Sequence, residues 1–413
     1  MRKPKVPVVA LMLAGGRVDE LSVLTFFRPK AAVPFGGLYR VIDFPMSNLM
    51  HSGIWVVGVL SQYRPYSLMT HLDYGLPWDM VGRRRGLYIL PPFMGREASD
   101  WYKGTADAVF QNLEFIRRWD PELVLILSGD HIYSMDYRPL IQFHQDHQAD
   151  LTIAFTPVAP EEAHRFGQGV IAEEGPLGGP LKDYREKVSP PVSNYASLTI
   201  YVFRTEVLEE VLTRSRTPES YEFGRDIIPQ MVGNYRIYGY VFRGYWGYTR
   251  TLEEFWRTHL DLLGPNPRID LKKWKVCTNL AHRNIRDRKP TVLGPKAKIC
   301  DSLFYNGAYI GGKVERSILF PGVKIEEGAV VKESILFHDT VVRAGAHLER
   351  VITDTEVVIG SEARVGGEEG ITVIGRESEL PAGLRIAGGV TVYPHLKPQA
   401  FSEESYAPGA VIS

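Results

Sequence analysis

Two apolar runs end in residues that could do chemistry. Leu123-Val124-Leu125-Ile126-Leu127 is unbroken and leads into Ser128-Gly129-Asp130-His131. Such a run reads as a buried strand, and in an open α/β sheet ligands and ions collect at the carboxyl ends of the strands. A carboxylate is a hard oxygen ligand suited to Mg2+, which in turn carries nucleotide phosphates. Asp130 is therefore a candidate metal ligand, against a plainer reading in which it caps the next turn. Val8-Val9-Ala10-Leu11-Met12-Leu13 likewise runs into Ala14-Gly15-Gly16. Glycines there let backbone N–H groups approach a phosphate or a base, although the pair also fits an ordinary turn.

Three further stretches need positioning elements of their own. Ile54-Trp55-Val56-Val57-Gly58-Val59-Leu60 is a second buried-strand candidate closed by Ser61-Gln62, and the glutamine taken alone reads as solvated. Gly104-Thr105 precedes a 3.6-residue pattern (Ala108, Val109, Asn112, Leu113, Ile116), which marks a helix start. Lys187 follows Tyr184-Arg185-Glu186 and, without further context, is an exposed lysine.

The run Leu24-Thr25-Phe26-Phe27-Arg28-Pro29-Lys30-Ala31-Ala32-Val33-Pro34-Phe35-Gly36-Gly37-Leu38-Tyr39-Arg40-Val41-Ile42-Asp43-Phe44 closely resembles the opening of the ADP-glucose pyrophosphorylase (glucose-1-phosphate adenylyltransferase) family. Trp101-Tyr102-Lys103-Gly104-Thr105-Ala106-Asp107-Ala108-Val109, Gly129-Asp130-His131-Ile132-Tyr133 and Glu222-Phe223-Gly224-Arg225-Asp226-Ile227-Ile228-Pro229 are similar to further family motifs. The resemblance implies the substrates ATP and glucose 1-phosphate, or ADP-glucose in reverse, with Mg2+ on Asp130 and Lys30 on the phosphates. It also implies nucleotide binding at Gly15, Gly16, Gln62, Gly104 and Thr105, and sugar-phosphate binding at Lys187 and Ser197. In this family the nucleophile is a sugar phosphate that needs no deprotonation near neutral pH, so His131 is expected to be structural. Catalysis then depends on positioning and charge neutralisation.

The chain departs from the family pattern at telling places. Where the family reads G-T-R, this chain has Val18-Asp19-Glu20, a charge reversal at the arginine that meets the nucleoside triphosphate. Where the family reads W-x-D-V-G-T-L, the chain has Trp246-Gly247-Tyr248-Thr249-Arg250-Thr251-Leu252, so the second metal-binding aspartate is a tyrosine and the glycine an arginine. A phenol, with a pKa of about 10, does not replace a carboxylate on Mg2+ near neutral pH. Val188 and Thr199 stand in for a proline and a glycine near the sugar site. Two functions are thus expected in competition: an adenylyltransferase of α-glucan synthesis, or a weakly active regulatory paralogue that binds nucleotide or sugar phosphate and modulates a catalytic partner.

At 413 residues the chain predicts more than one domain. Its 48 basic and 48 acidic residues cancel, which gives no reason to expect nucleic acid or an anionic membrane as partner. No apolar run approaches the roughly 18 residues of a membrane span. Met1-Arg2-Lys3-Pro4 lacks the apolar core of a signal peptide, and Cys277 and Cys300 are too few for a disulfide framework, so the cytoplasm is expected.

Gly264-Pro265-Asn266-Pro267 and the charged stretch before Pro290 read as linker. Beyond them Ser317-Ile318-Leu319-Phe320 recurs 17 residues later as Ser334-Ile335-Leu336-Phe337, and Gly328-Ala329 as Gly345-Ala346. That period marks a parallel β-helix with three faces. The expected architecture is an α/β nucleotidyltransferase domain, Rossmann-like with a mostly parallel sheet, over 1–265; a linker over 266–290; and a left-handed parallel β-helix over 291–413. The resemblance implies assembly into a homotetramer, or a heterotetramer with a catalytic paralogue.

Overall fold

The computed structural model describes residues 7–16, 18–92, 101–172, 175–214 and 221–413. The signal-peptide reading at Met1–Pro4 therefore lies outside the described residues. The chain forms two compact units: one of Met1–Gly16, Phe44–Pro65 and Leu72–Trp246, the other of Arg17–Asp43, Tyr66–His71 and Gly247–Ser413. The segment carrying Glu20, Arg28, Lys30 and Arg40 thus belongs to the same unit as the C-terminal half.

The first unit is built on a ten-stranded sheet of β1 (Val8–Leu13), β2 (Val56–Leu60), β3 (Val81–Gly82), β4 (Arg85–Leu90), β5 (Leu123–Ser128), β6 (Leu151–Pro157), β7 (Gly167–Ile171), β8 (Gly178–Glu186), β9 (Tyr195–Arg204) and β10 (Ile237–Val241), in the order β7-β8-β10-β6-β9-β5-β1-β2-β4-β3. The apolar runs occupy the interior as expected. β5, β1, β2 and β4 are parallel, in register from Leu11↔Ile126 to Leu11↔Gly58 and Val57↔Leu87. β9 enters antiparallel between β5 and β6 and turns the far half into a mixed sheet. The parallel part sets the ends of β1, β2 and β5 side by side, which places Gly15, Gln62 and Asp130 along one edge. Leu11, Val124, Ile126, Phe155 and Phe203 pack with Phe223 in a core that is nearly solvent-free. α1 (Thr105–Gln111) follows Gly104 as its pattern predicts.

In the second unit the repeat region forms three parallel sheets, of six, seven and seven short strands, as a left-handed β-helix requires. Ile318, Ile335 and Ile352 stack in register on one sheet, and Val314, Val331, Leu348 and Val365 on another, all buried. After Val365 the coils lengthen: Val365 pairs with Ile386 and Ile386 with Tyr406. Before the β-helix comes α2 (Leu252–Leu260), which starts on a capping box formed by Thr251 and Glu254. The stretch read as linker carries its own contacts in this unit: Ile269 is buried, and both Arg288 Nη atoms bond to the Asp339 carboxylate at 2.6 Å.

Buried histidines make stability depend on pH. His259 Nε2 accepts the Gly36 N–H at 3.2 Å, so Nδ1 carries the proton and donates to the Phe255 carbonyl at 2.9 Å, which fixes a neutral ring. Burial pushes its pKa down to about 3, that of His282 to about 3 and that of His144 to about 4. In the unfolded chain each ring takes its proton near pH 6.5. The stability they contribute is therefore complete above about pH 6.5 and is lost progressively as pH falls toward about 4. The urea midpoint is expected to drop steadily between pH 7 and pH 5; a constant midpoint over that range would contradict the neutral buried rings.

Candidate active site

The candidate residues fall in both compact units. In the first unit, Ala14 N–H bonds to Leu60 O at 3.0 Å and Tyr63 N–H to Gly15 O at 3.2 Å, which lock the turn after β1 to the end of β2. A Cβ on Gly15 would meet the Gln62 nitrogen at 2.9 Å, so this close approach requires glycine. Gln62 is itself engaged: its Oε1 accepts the Tyr102 N–H at 2.5 Å. Gly104 lies against Tyr221, whose carbonyl oxygen a Cβ would meet at 2.3 Å and which accepts the Ala106 and Asp107 N–H groups. Thr105 Oγ1 accepts the Phe223 N–H at 3.1 Å and donates to Glu222 at 3.3 Å.

Asp130 stands at the end of β5 with its side chain 26% exposed. Oδ1 accepts from the Ser128 hydroxyl and lies 3.4 Å from His131 Nε2. His131 is buried with its ring edge-on to Trp246 at 5.4 Å, a packing role.

At the sugar-phosphate candidates, Lys187 has a left-handed backbone (φ 53°) anchored by its N–H on Phe166 O at 3.0 Å. Its Nζ is 3.8 Å from Glu186. Glu186 was not singled out by sequence, yet it accepts the Tyr184 hydroxyl at 2.9 Å, and burial raises its pKa above the usual carboxylate value. Ser197 Oγ accepts the Thr199 N–H at 3.3 Å. Thr199, at φ 54°, takes the left-handed conformation that a glycine adopts freely, at the strain a β-branched residue incurs there. The register of β9 shifts across this residue.

In the second unit the two departures from the family pattern meet. Arg250 Nε donates to Glu20 Oε1 at 2.8 Å, and Nη1 lies 3.4 Å from the Tyr248 hydroxyl. Lys30, buried, donates from Nζ to the Tyr248 carbonyl at 2.7 Å and lies 5.2 Å from the centre of the Tyr248 ring. Burial works to raise the Glu20 pKa, but its own backbone N–H together with Arg250 and Lys30 brings it below the ordinary value. Elsewhere in this unit a cavity of about 200 Å³ is lined by Arg28, Arg40, His282, Arg283, His338 and Arg376, with Glu356 the acid among them. Arg28 Nη2 holds both oxygens of Asp354 at 2.8 and 2.9 Å, while its buried Nη1 has no partner among the described residues. The lining suits a compact anion, and nothing in the spacing of these residues foretold it.

Two family models match the chain. Residues 9–264 match the model described as nucleotidyl transferase, and residues 291–371 match a GlmU-like C-terminal hexapeptide model. A protein named glucose-1-phosphate adenylyltransferase from Thermomicrobium roseum is 42% identical over 98% of this chain and 96% of its own length. The chain belongs to the glucose-1-phosphate adenylyltransferase family. Members so named from Acetivibrio thermocellus (38% identity over 96% of this chain and 95% of that one) and Thermotoga maritima (46% over 78% and 76%) agree.

Nucleotidyl transferases generally use Mg2+, and this adenylyltransferase-family chain offers it a limited seat. Among the described residues no group of three or more His, Cys, Asp or Glu side chains is arranged to hold an ion. Mg2+ usually keeps several waters and takes one or two carboxylates beside the phosphates it carries. Asp130, partly exposed at its strand end, fits that smaller demand. Also among the described residues, no helix is long and apolar enough to cross a membrane.

Proposed function

We propose that this chain is a glucose-1-phosphate adenylyltransferase, which joins ATP and glucose 1-phosphate into ADP-glucose and releases pyrophosphate for α-glucan synthesis in the cytoplasm. The observation that carries the reading is the 42% identity to a protein of that name over nearly the whole chain. A phosphate oxygen of glucose 1-phosphate attacks the α-phosphorus as the bond to pyrophosphate breaks. No proton need be removed, and the charge that builds on the phosphates is the main obstacle. We assign Gly15, Gly16, Gln62, Gly104 and Thr105 to the nucleotide, Lys30 to its phosphates, and Lys187 and Ser197 to the sugar phosphate. Asp130 would hold Mg2+, which when bound offsets phosphate charge.

A weakly active chain that modulates a catalytic partner is the second reading, favoured by Tyr248 standing where the family's second carboxylate belongs. A tetramer, of one chain or two kinds, is part of the proposal, and light scattering at micromolar concentration measures it. The sugar site is tested by calorimetry with glucose 1-phosphate. Lys187→Ala is expected to weaken binding by about 10- to 100-fold through loss of a charge-assisted contact. No binding of any sugar phosphate by the unmodified chain would remove the assignment.

A further inference from the structure

We propose that Arg250 is a phosphate-binding cation of this chain, held in position by Glu20 and Tyr248 and acting beside Lys30 on a polyphosphate group. The proposal rests on the adenylyltransferase reading and adds to it a residue that the family pattern does not supply, since that pattern has glycine here.

The geometry fixes Arg250 from two sides. Its backbone N–H bonds to Glu254 Oε2 at 2.9 Å, and the same carboxylate oxygen accepts the Thr251 N–H, so the loop is tied to the first turn of α2. Its side chain is held through Nε by Glu20 and through Nη1 by Tyr248. Nη2 makes no hydrogen bond to a described residue, and the side chain is 39% exposed. An exposed ion pair contributes little stability by itself. A guanidinium oriented at one edge and open at another is, by contrast, well prepared to take a phosphate oxygen, for which its planar fork is suited.

Charge and sequence agree with this. Lys30 is near enough for its charge to act on Glu20, so two cations, Lys30 and Arg250, stand in one cluster, whose carboxylates are Glu20 on the Arg250 side chain and Glu254 on its backbone. Glu20 stands where the family has arginine and Arg250 where it has glycine, and the two changed residues are bonded to each other. The cation has moved across the pair and has not been lost. Arg28, close to Lys30 in sequence, holds Asp354 through Nη2.

The test is calorimetry of the full-length chain with inorganic tripolyphosphate and ATP, with glucose 1-phosphate as control. Arg250→Gln is expected to weaken tripolyphosphate and ATP by roughly 10- to 100-fold while glucose 1-phosphate binding stays the same. Arg250→Lys should recover part of the loss, and the interchange Glu20→Arg with Arg250→Gly should recover most of it. Those two variants, checked by their melting transitions, carry the test if Arg250→Gln fails to fold. A role confined to structure would shift melting and leave phosphate affinity untouched. Equal tripolyphosphate affinity for the unmodified chain and Arg250→Gln overturns the proposal, as does glucose 1-phosphate binding with no tripolyphosphate binding. Failure of the unmodified chain to bind any of the three ligands removes the adenylyltransferase reading as well.

Discussion

Arg28→Met is expected to destabilise the protein by about 3–5 kcal/mol, the cost of leaving a buried charge without its partner. Asp354 is fully buried, and its carboxylate is held by both Arg28 bonds, with the Thr355 N–H as a further donor at 2.7 Å. Methionine fills much of the arginine's volume, so the loss reports the unpaired carboxylate more than a cavity. The double replacement Arg28→Met with Asp354→Leu removes both charges and should regain most of the stability, because apolar residues of similar size often replace a buried pair at little cost. Denaturant midpoints measure both variants. A shift below about 1 kcal/mol for Arg28→Met would mean that water reaches Asp354 and that the pair is not buried as described.

The second large effect concerns turnover. By the resemblance to the family motifs, Glu20 and Tyr248 occupy positions of a cation and a carboxylate, and losing one electrostatic contact at a charge-building site commonly lowers the rate about 10²- to 10³-fold. With Arg250 returning positive charge as proposed, Tyr248 still supplies no carboxylate, so the chain alone should be slow. The contact between Glu20 and Arg250 bears on which repair to expect. Glu20→Arg by itself sets one guanidinium against another, Arg250, whose Nε now lies 2.8 Å from the glutamate. Only the triple change Glu20→Arg, Tyr248→Asp and Arg250→Gly restores the family arrangement without that clash, and it is expected to raise the rate by about 10²-fold or more, though such effects need not add. A triple variant no faster than the unmodified chain would show that these positions do not limit the reaction.

Some of this was legible in sequence because it is written locally. The runs ending at Leu13, Leu60 and Ser128 are continuous and apolar, the pattern of strands covered on both faces, so the parallel centre of the sheet and the placement of Asp130 at a strand end followed directly. The 17-residue echo of Ser317–Phe320 gave the β-helix, but its last coils are stretched around the glycine-rich 366–370 turn and lost the period there. Contacts far apart in sequence were not legible. Glu20 and Arg250 are 230 positions apart, and each taken singly looked like damage to a motif. Glu186 was hidden beside Lys187 because its raised pKa comes from burial that only the folded strand creates. The arginine-lined cavity draws on segments near residues 28, 40, 282 and 376, which no local pattern joins.

Adenylyl transfer by this chain is tested most directly by incubating the purified protein with ATP, glucose 1-phosphate and Mg2+ and following ADP-glucose and pyrophosphate together. The expected result is both products in equal amounts, formed well below about 1 per second, the lower range of ordinary enzymatic rates. Turnover at about 1 per second or faster would contradict the altered site at Glu20 and Tyr248, and the absence of ADP-glucose above the uncatalysed background would contradict the adenylyltransferase assignment itself.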